Sequence, residues 1–238
     1  MENSNYLYGK KYVALGDSLT DGDFGSYVDE NGLEGPKSPD VYDQELKMCK
    51  TYPWHIGKRN DMEVLNMALC GGTMTFMPEI GSNGNERSLS TLYKKVPLDA
   101  DYVTIFIGAN DSFRRAPLGG VNDQDVSTFC GAWNVVLRHL ITNMPYAKIG
   151  IIIPSFCASP AYPDCVRRMA RKWGIPYLDL EEDFSVPLTR AVKYRPELCD
   201  EARELRNRAF AVSDKNGHPN LKAHEGLSTI VENFMRSL

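Results

Sequence analysis

The 238-residue chain carries little excess of either charge: 27 Lys and Arg stand against 31 Asp and Glu, a formal net charge of −4. With a pI near 5.6, it has no basic footprint for a nucleic-acid backbone, and no nucleic-acid partner is expected. Long apolar runs are also missing. The longest, "YVTIFIGA" and "IGIIIP", are strand-sized and far short of the ~20 residues a spanning helix needs. The N-terminal "MENSNYLYGKK" has no apolar h-region, so no signal peptide is visible and a cytoplasmic location is expected. Six cysteines are too few for a disulfide scaffold. Cys157 and Cys165 lie close enough in sequence to pair in an exported chain, but reduced thiols are the expectation. No His/Cys/Asp/Glu set has the spacing of a zinc site. No GxxxxGK[ST] and no strand-linked GxGxxG occurs, so neither a metal nor a nucleotide cofactor is expected. Repeats, low-complexity tracts and linkers are absent as well, which leaves residues 1–238 as one domain.

What is present is an alternation of strands and helices. Apolar runs predict strands at Tyr12–Gly16, Glu63–Ala68, Tyr102–Gly108, Lys148–Pro154 and Pro176–Leu180. Most are continuously apolar rather than alternating, the pattern of strands covered on both faces. The clearest helix runs from Asp125 to Met144, where Val126, Phe129, Cys130, Trp133, Leu137, Leu140 and Ile141 recur at three- and four-residue steps. The segments 47–59, 87–95, 162–173 and 222–238 fill the other helix positions. Such an order predicts a parallel, doubly wound α/β sheet with right-handed crossovers.

Ligands of such sheets bind at the carboxyl ends of the strands. After the first strand come Gly16, Asp17 and Ser18; after the second comes "LCGGT", with Gly71 and Gly72; after the third comes "GANDS", with Asn110. Just before the last helix sits "DKNGHPN", with His218. Singly, each of these is turn or cap chemistry: Gly, Asp, Ser and Asn are what turns and helix starts are made of. Together they bring a hydroxyl, a glycine-rich turn, an amide and an imidazole to one rim. Of the other histidines, His139 falls off the apolar face of its helix and is expected in solvent. His55 is expected at a helix surface or in packing, and His224 at the start of the final helix, helping to seat it.

These four blocks resemble the SGNH hydrolases, also called the GDSL esterase/lipase family, and they span residues 16 to 220. The resemblance implies a three-layer sandwich, a flavodoxin-like five-stranded parallel sheet with helices on both faces. "GDSLT" is similar to the nucleophile block and implies Ser18 as the attacking hydroxyl. "NMALCGGT" resembles the second block, with Ala68 in place of its first glycine, and implies the Gly71 N–H as an oxyanion donor. "GAND" implies Asn110 as the side-chain donor beside the Ser18 N–H, and "GHPN" implies His218 as the general base. The acid departs from the pattern. The family places Asp three residues before the His, where this chain has Lys215, and the nearest carboxylate is Asp214. Gly217 can adopt positive φ, so a tighter turn there lets Asp214 reach the ring. The alternative is a Ser18–His218 dyad whose imidazole is oriented by a backbone carbonyl.

These residue types suit acyl transfer. A serine hydroxyl attacks well only as a base takes its proton, and imidazole, titrating near pH ~6.5, is a neutral base at neutral pH. It then returns the proton to the leaving alcohol, while N–H donors face the charge on the tetrahedral intermediate. The order Ser…Asp…His matches the α/β-hydrolases, but their Gly-x-Ser-x-Gly elbow is missing, so that fold is disfavoured.

For the substrate, residues 21–46 hold eight Asp/Glu and one Lys, a field that disfavours anionic esters if the segment rims the pocket. No stretch resembles an apolar lipase lid. The expected partner is a small neutral ester with a short acyl group, such as an acetylated sugar. The alternatives are a lysophospholipase or thioesterase, or a catalytically silent glycan-binding relative. A flavodoxin-like FMN protein shares the topology but gives His218 no role. The oligomeric state is not legible in the sequence.

Overall fold

The computed structural model describes residues 5–24, 38–77, 87–154, 157–180, 208–213 and 216–238. Its main sheet has five parallel strands: β1 (Lys11–Gly16), β4 (Glu63–Asn66), β5 (Tyr102–Phe106), β6 (Lys148–Ile153) and β7 (Tyr177–Asp179). They lie in the order β4-β1-β5-β6-β7. Val13 stands opposite Leu65 on one side and Val103 on the other. A two-stranded hairpin, β2 (Tyr42–Asp43) with β3 (Met48–Cys49), sits apart from it.

The continuous apolar runs are explained by burial on both faces. Side chains alternate across a strand. Val13, Leu15, Val103, Ile105, Ile151 and Ile153 join one core, with Trp133, Leu137 and Val166 from the helices Phe129–Asn143 and Ala161–Trp173. Tyr12, Ala14, Tyr102, Phe106 and Ile152 join a second, with Ile56, Leu227, Val231 and Met235 from the helices Tyr52–Asn60 and Leu221–Arg236. Three layers result, as the alternation of strands and helices predicts.

Element ends differ from the sequence reading, and capping explains the largest shifts. The central helix starts at Phe129 rather than 125, because Thr128 is its N-cap and accepts a hydrogen bond from the Gly131 N–H. The predicted helix 47–59 begins only at Tyr52, since Met48–Cys49 are in the hairpin and a proline occupies the first turn. Residues 87–95 hold a single turn, Leu89–Leu92, followed by 3₁₀ backbone. His139 is half-buried rather than in solvent, edge-on to Tyr93 at 4.8 Å. The sulfur partner of Cys165 is Cys130, in a disulfide joining the two helices of the first core, not Cys157. Cys157 Sγ instead faces the Gly108 and Pro154 carbonyls.

The turn of strand order lies between β1 and β5, flanked by β4 on one side and β6 on the other. Doubly wound sheets open a crevice at such a switch point, and there the chain leaves β1 for Ser18 and β5 for Asn110.

Candidate active site

Ser18 is the first residue of a four-residue helical turn, Ser18–Asp21, capped by Asp17. The Asp17 carboxylate accepts a hydrogen bond from the Leu19 N–H at 3.0 Å. Only glycine fits at position 16, before that cap: a Cβ there would lie 2.7 Å from the Phe106 carbonyl and run into Thr20. The serine is 8% exposed, and its Oγ lies 2.8 Å from His218 Nε2, across 200 residues of sequence.

His218 sits in a short bridge region before the last helix. Ala211 pairs with Pro219, and the Val212 N–H donates to the His218 carbonyl at 2.8 Å. Asn220 caps the following helix, accepting from the Ala223 N–H. The other ring nitrogen, Nδ1, is 2.7 Å from Asn216 Oδ1. That amide also accepts from the His218 N–H at 3.0 Å and turns its Nδ2 to Asp23 Oδ1 at 3.3 Å. Asp23 Oδ2 itself is 3.7 Å from Nδ1. Asp214, the acid anticipated from the sequence, lies outside the described residues.

The glycine turn after β4 is tied to both flanking blocks. The Leu69 N–H donates to the Gly16 carbonyl at 3.1 Å, Asp21 accepts from the Cys70 N–H at 3.1 Å, and Asn66 donates to the Thr20 carbonyl at 2.9 Å. Asn110 Nδ2 donates to the Gly72 carbonyl at 2.9 Å, which leaves its second amide hydrogen. Gly71 has φ +73°, a conformation that costs glycine little and other residues more. Neither the Ser18 nor the Gly71 N–H has an acceptor among the described residues. Hydrogen bonds thus tie the glycine turn to the segments that carry Ser18 and Asn110, and His218 meets the Ser18 hydroxyl.

Two buried carboxyls brace this rim. Asp111 accepts from the Met74 and Thr75 N–H groups at 2.9 Å each, holding the loop after the glycine turn, and burial raises its pKa. Burial pushes the Asp17 carboxyl up from 3.8 to about 7, against the bond from Leu19. Its Oδ2 has no hydrogen-bond partner among the described residues. His224 is the opposite case: fully buried with neither ring nitrogen bonded, it is pushed down to about 3, chiefly by desolvation and then by His55 and His218. It packs edge-on to Phe24 at 5.5 Å.

These two groups set opposite pH slopes for stability. Between about pH 4 and 7 the native state holds the Asp17 proton that the unfolded chain has lost, so this group makes stability fall as pH rises. Between about pH 3 and 6.5 the unfolded chain protonates His224 and the native state does not, so this group makes stability rise with pH. In the overlap they offset each other. Urea midpoints taken from pH 4.5 to 7.5 should therefore rise with pH in Asp17→Asn and fall with pH in His224→Leu. Two variants that both track the wild-type profile would contradict these assignments.

The sequence reading missed Asn216, Asp23, Asp17 and Asp111 as parts of the site. Asn216 had one signal, its place two residues before the histidine, where an Asx side chain can reach back to the backbone. Asp23 was marked only as one of the acids of the 21–46 segment expected near the pocket.

Residues 14–225 match the model of the GDSL-like lipase/acylhydrolase family. A comparison with curated proteins gives no match. Among solved structures, a GDSL-like lipase from Bacteroides ovatus shares 21% identity over 97% of this chain and 100% of its own, with a TM-score of 0.65. An aryl esterase from M. smegmatis shares 19% over 97% and 100%, at 0.57. A catalytic mutant of an acetylxylan esterase from Geobacillus stearothermophilus shares 18% over 96% and 94%, also at 0.57. At these identities the structures speak for the fold, while the family match spans most of the sequence. The chain belongs to the GDSL-like lipase/acylhydrolase family.

Proposed function

We propose that this single hydrolase domain is a carboxylic ester hydrolase working through an acyl-enzyme on Ser18. The observation that carries the reading is the 2.8 Å contact between Ser18 Oγ and His218 Nε2, with the Ser18 and Gly71 N–H groups unbonded among the described residues. In the proposed cycle His218 takes the Ser18 proton as Oγ attacks the ester carbonyl, then gives it to the departing alcohol. Water repeats the sequence to release the acid. The N–H groups of Ser18 and Gly71 and the second amide hydrogen of Asn110 face the developing oxyanion. Losing one such donor typically costs about 2.7–4 kcal/mol of transition-state stabilisation. Asp214 is the proposed acid partner that stabilises the imidazolium, with Asn216 Oδ1 holding the ring from Nδ1.

The acyl group is proposed to be short, acetyl above all, and the alcohol a carbohydrate. The likeness to an acetylxylan esterase and the lack of an apolar lid segment in the sequence support this over a lysophospholipase or thioesterase. A fluorophosphonate probe should label the protein stoichiometrically, with the adduct on the peptide containing Ser18. An adduct on another residue, or none at all, would overturn the nucleophile.

A further inference from the structure

Two arginines that no sequence motif singles out stand over the glycine turn. Arg87 Nη1 donates to the Cys70 carbonyl at 2.8 Å, and Arg114 Nη1 donates to the Gly71 carbonyl at 2.9 Å. Consecutive carbonyls thus pin both guanidiniums beside the same peptide. A Cβ on Gly71 would lie 3.6 Å from Arg87 Nη1 and 3.6 Å from Arg114 Nη2. Those two legs bound the separation of the nitrogens at about 7.2 Å, a gap that one oxoanion can bridge with charge-assisted hydrogen bonds to both.

Among the described residues, no carboxylate takes up their charge. Arg59, Arg167 and Arg236 each meet a carboxylate. Arg87 and Arg114 meet none among the described residues, and each side chain is exposed. A guanidinium has five N–H donors, and one on each arginine is committed to a backbone carbonyl. Among the described residues, two carboxylates near the turn have other work: Asp21 accepts from the Cys70 N–H and Asp23 from Asn216. Farther along the acidic segment, Asp43 is engaged by Trp54 and Lys58 on the hairpin side, and residues 25–37 lie outside the described part.

We propose that Arg87 and Arg114 form an anion-binding subsite beside Gly71, and that the esters cleaved at Ser18 carry a carboxylate near the scissile bond. This rests on the hydrolase reading above and reverses the charge preference expected from the acidic 21–46 segment. A short-chain ester of an acidic sugar satisfies both the carbohydrate assignment and the subsite. Two cations at the rim also raise the local concentration of an anionic substrate, an attraction that salt screens over about 8 Å at physiological strength.

Matched ester pairs test it. 4-Acetoxybenzoate against 4-acetoxybenzamide puts the charge on the alcohol side; monoethyl succinate against ethyl butyrate puts it on the acyl side. Wild-type kcat/KM should favour the anionic member of at least one pair by about tenfold to a hundredfold, the range of hydrogen bonds to charged groups, and salt should shrink that ratio. The double variant Arg87→Gln/Arg114→Gln should bring the ratio to about one, and the lysine pair should keep part of it. Because both arginines also hold the glycine turn, the ratio within a pair is the readout, not the absolute rate. A wild-type ratio of one or less in both pairs, or a preference that survives the double glutamine variant, overturns the subsite. Independently of turnover, succinate should shift the Arg87 and Arg114 Nε–H resonances of the wild-type protein. Shifts without hydrolysis of any ester would support the subsite while sinking the hydrolase reading; hydrolysis with no shifts at up to about 50 mM succinate, roughly 50,000-fold weaker than micromolar affinity, would do the reverse.

Discussion

Alanine at position 18 is expected to lower kcat for p-nitrophenyl acetate by about 10⁶-fold, the loss seen when a serine nucleophile is removed from a unit that acts together. The magnitude follows from what remains. Without Oγ no acyl-enzyme forms, and the residual rate is what the oxyanion donors extract from direct attack by water. The fold should be unaffected, because the hydroxyl sits at the first position of a turn whose cap comes from Asp17, not from Ser18. The checks are a steady-state assay with active-site titration and a urea transition on the same preparation. A variant that keeps more than a per cent of wild-type kcat, with a normal transition, would remove Ser18 from the mechanism.

The place of that serine at the rim is legible in the sequence alone, and the reason is physical. A strand buried on both faces reads as an unbroken apolar run, so its end is sharp, and the residues that follow fall at the rim where doubly wound sheets hold ligands. β1, β5 and β6 follow that rule, and with them Ser18 and Asn110 are placed. Helix starts were less legible. Thr128 stops the central helix three residues inside its apolar repeat by satisfying an N–H that the repeat does not register. The β2–β3 hairpin has two residues per strand, too few for any period to show.

The partners of the site were hidden for a different reason: they act through tertiary distance. Arg87 and Arg114 are 27 positions apart in sequence and converge only because the chain crosses from the loop before Leu89–Leu92 to the end of the Ala109–Phe113 turn. Asp23 meets Asn216 across 193 residues. Asp17 and Asp111 looked like ordinary turn residues, and only their burial shows that they brace the rim. Residue type and spacing disclose what one element presents; they are silent on what two distant loops make together.

The second large effect concerns the group that orients His218. If Asp214 is the acid, Asp214→Asn should lower kcat by about 10⁴-fold, since an amide in that place favours the wrong tautomer and cannot stabilise the imidazolium. Asn216 offers a neutral acceptor at 2.7 Å from Nδ1, enough to fix the tautomer but not to balance a full charge. Asn216→Ala should then cost about tenfold, the ~1.4 kcal/mol of one modest interaction. The opposite ranking has its own geometry: Nδ1 to Asn216, Asn216 to Asp23, with the Asp23 carboxylate 3.7 Å from the ring. In that arrangement Asn216→Ala is the severe variant, Asp23→Asn loses activity beside it, and Asp214→Asn falls by tenfold or less. The pH profile of kcat/KM adds a separate reading. Removing a nearby carboxylate lowers the acid-side pKa of a base that it stabilises as a cation, so that limb should move to lower pH farther in Asp214→Asn than in Asp23→Asn, whose carboxylate lies 3.7 Å from Nδ1. A profile that moves only in the Asp23 variant would transfer the acid role to the residue five positions after the nucleophile and leave Ser18 and His218 where they are.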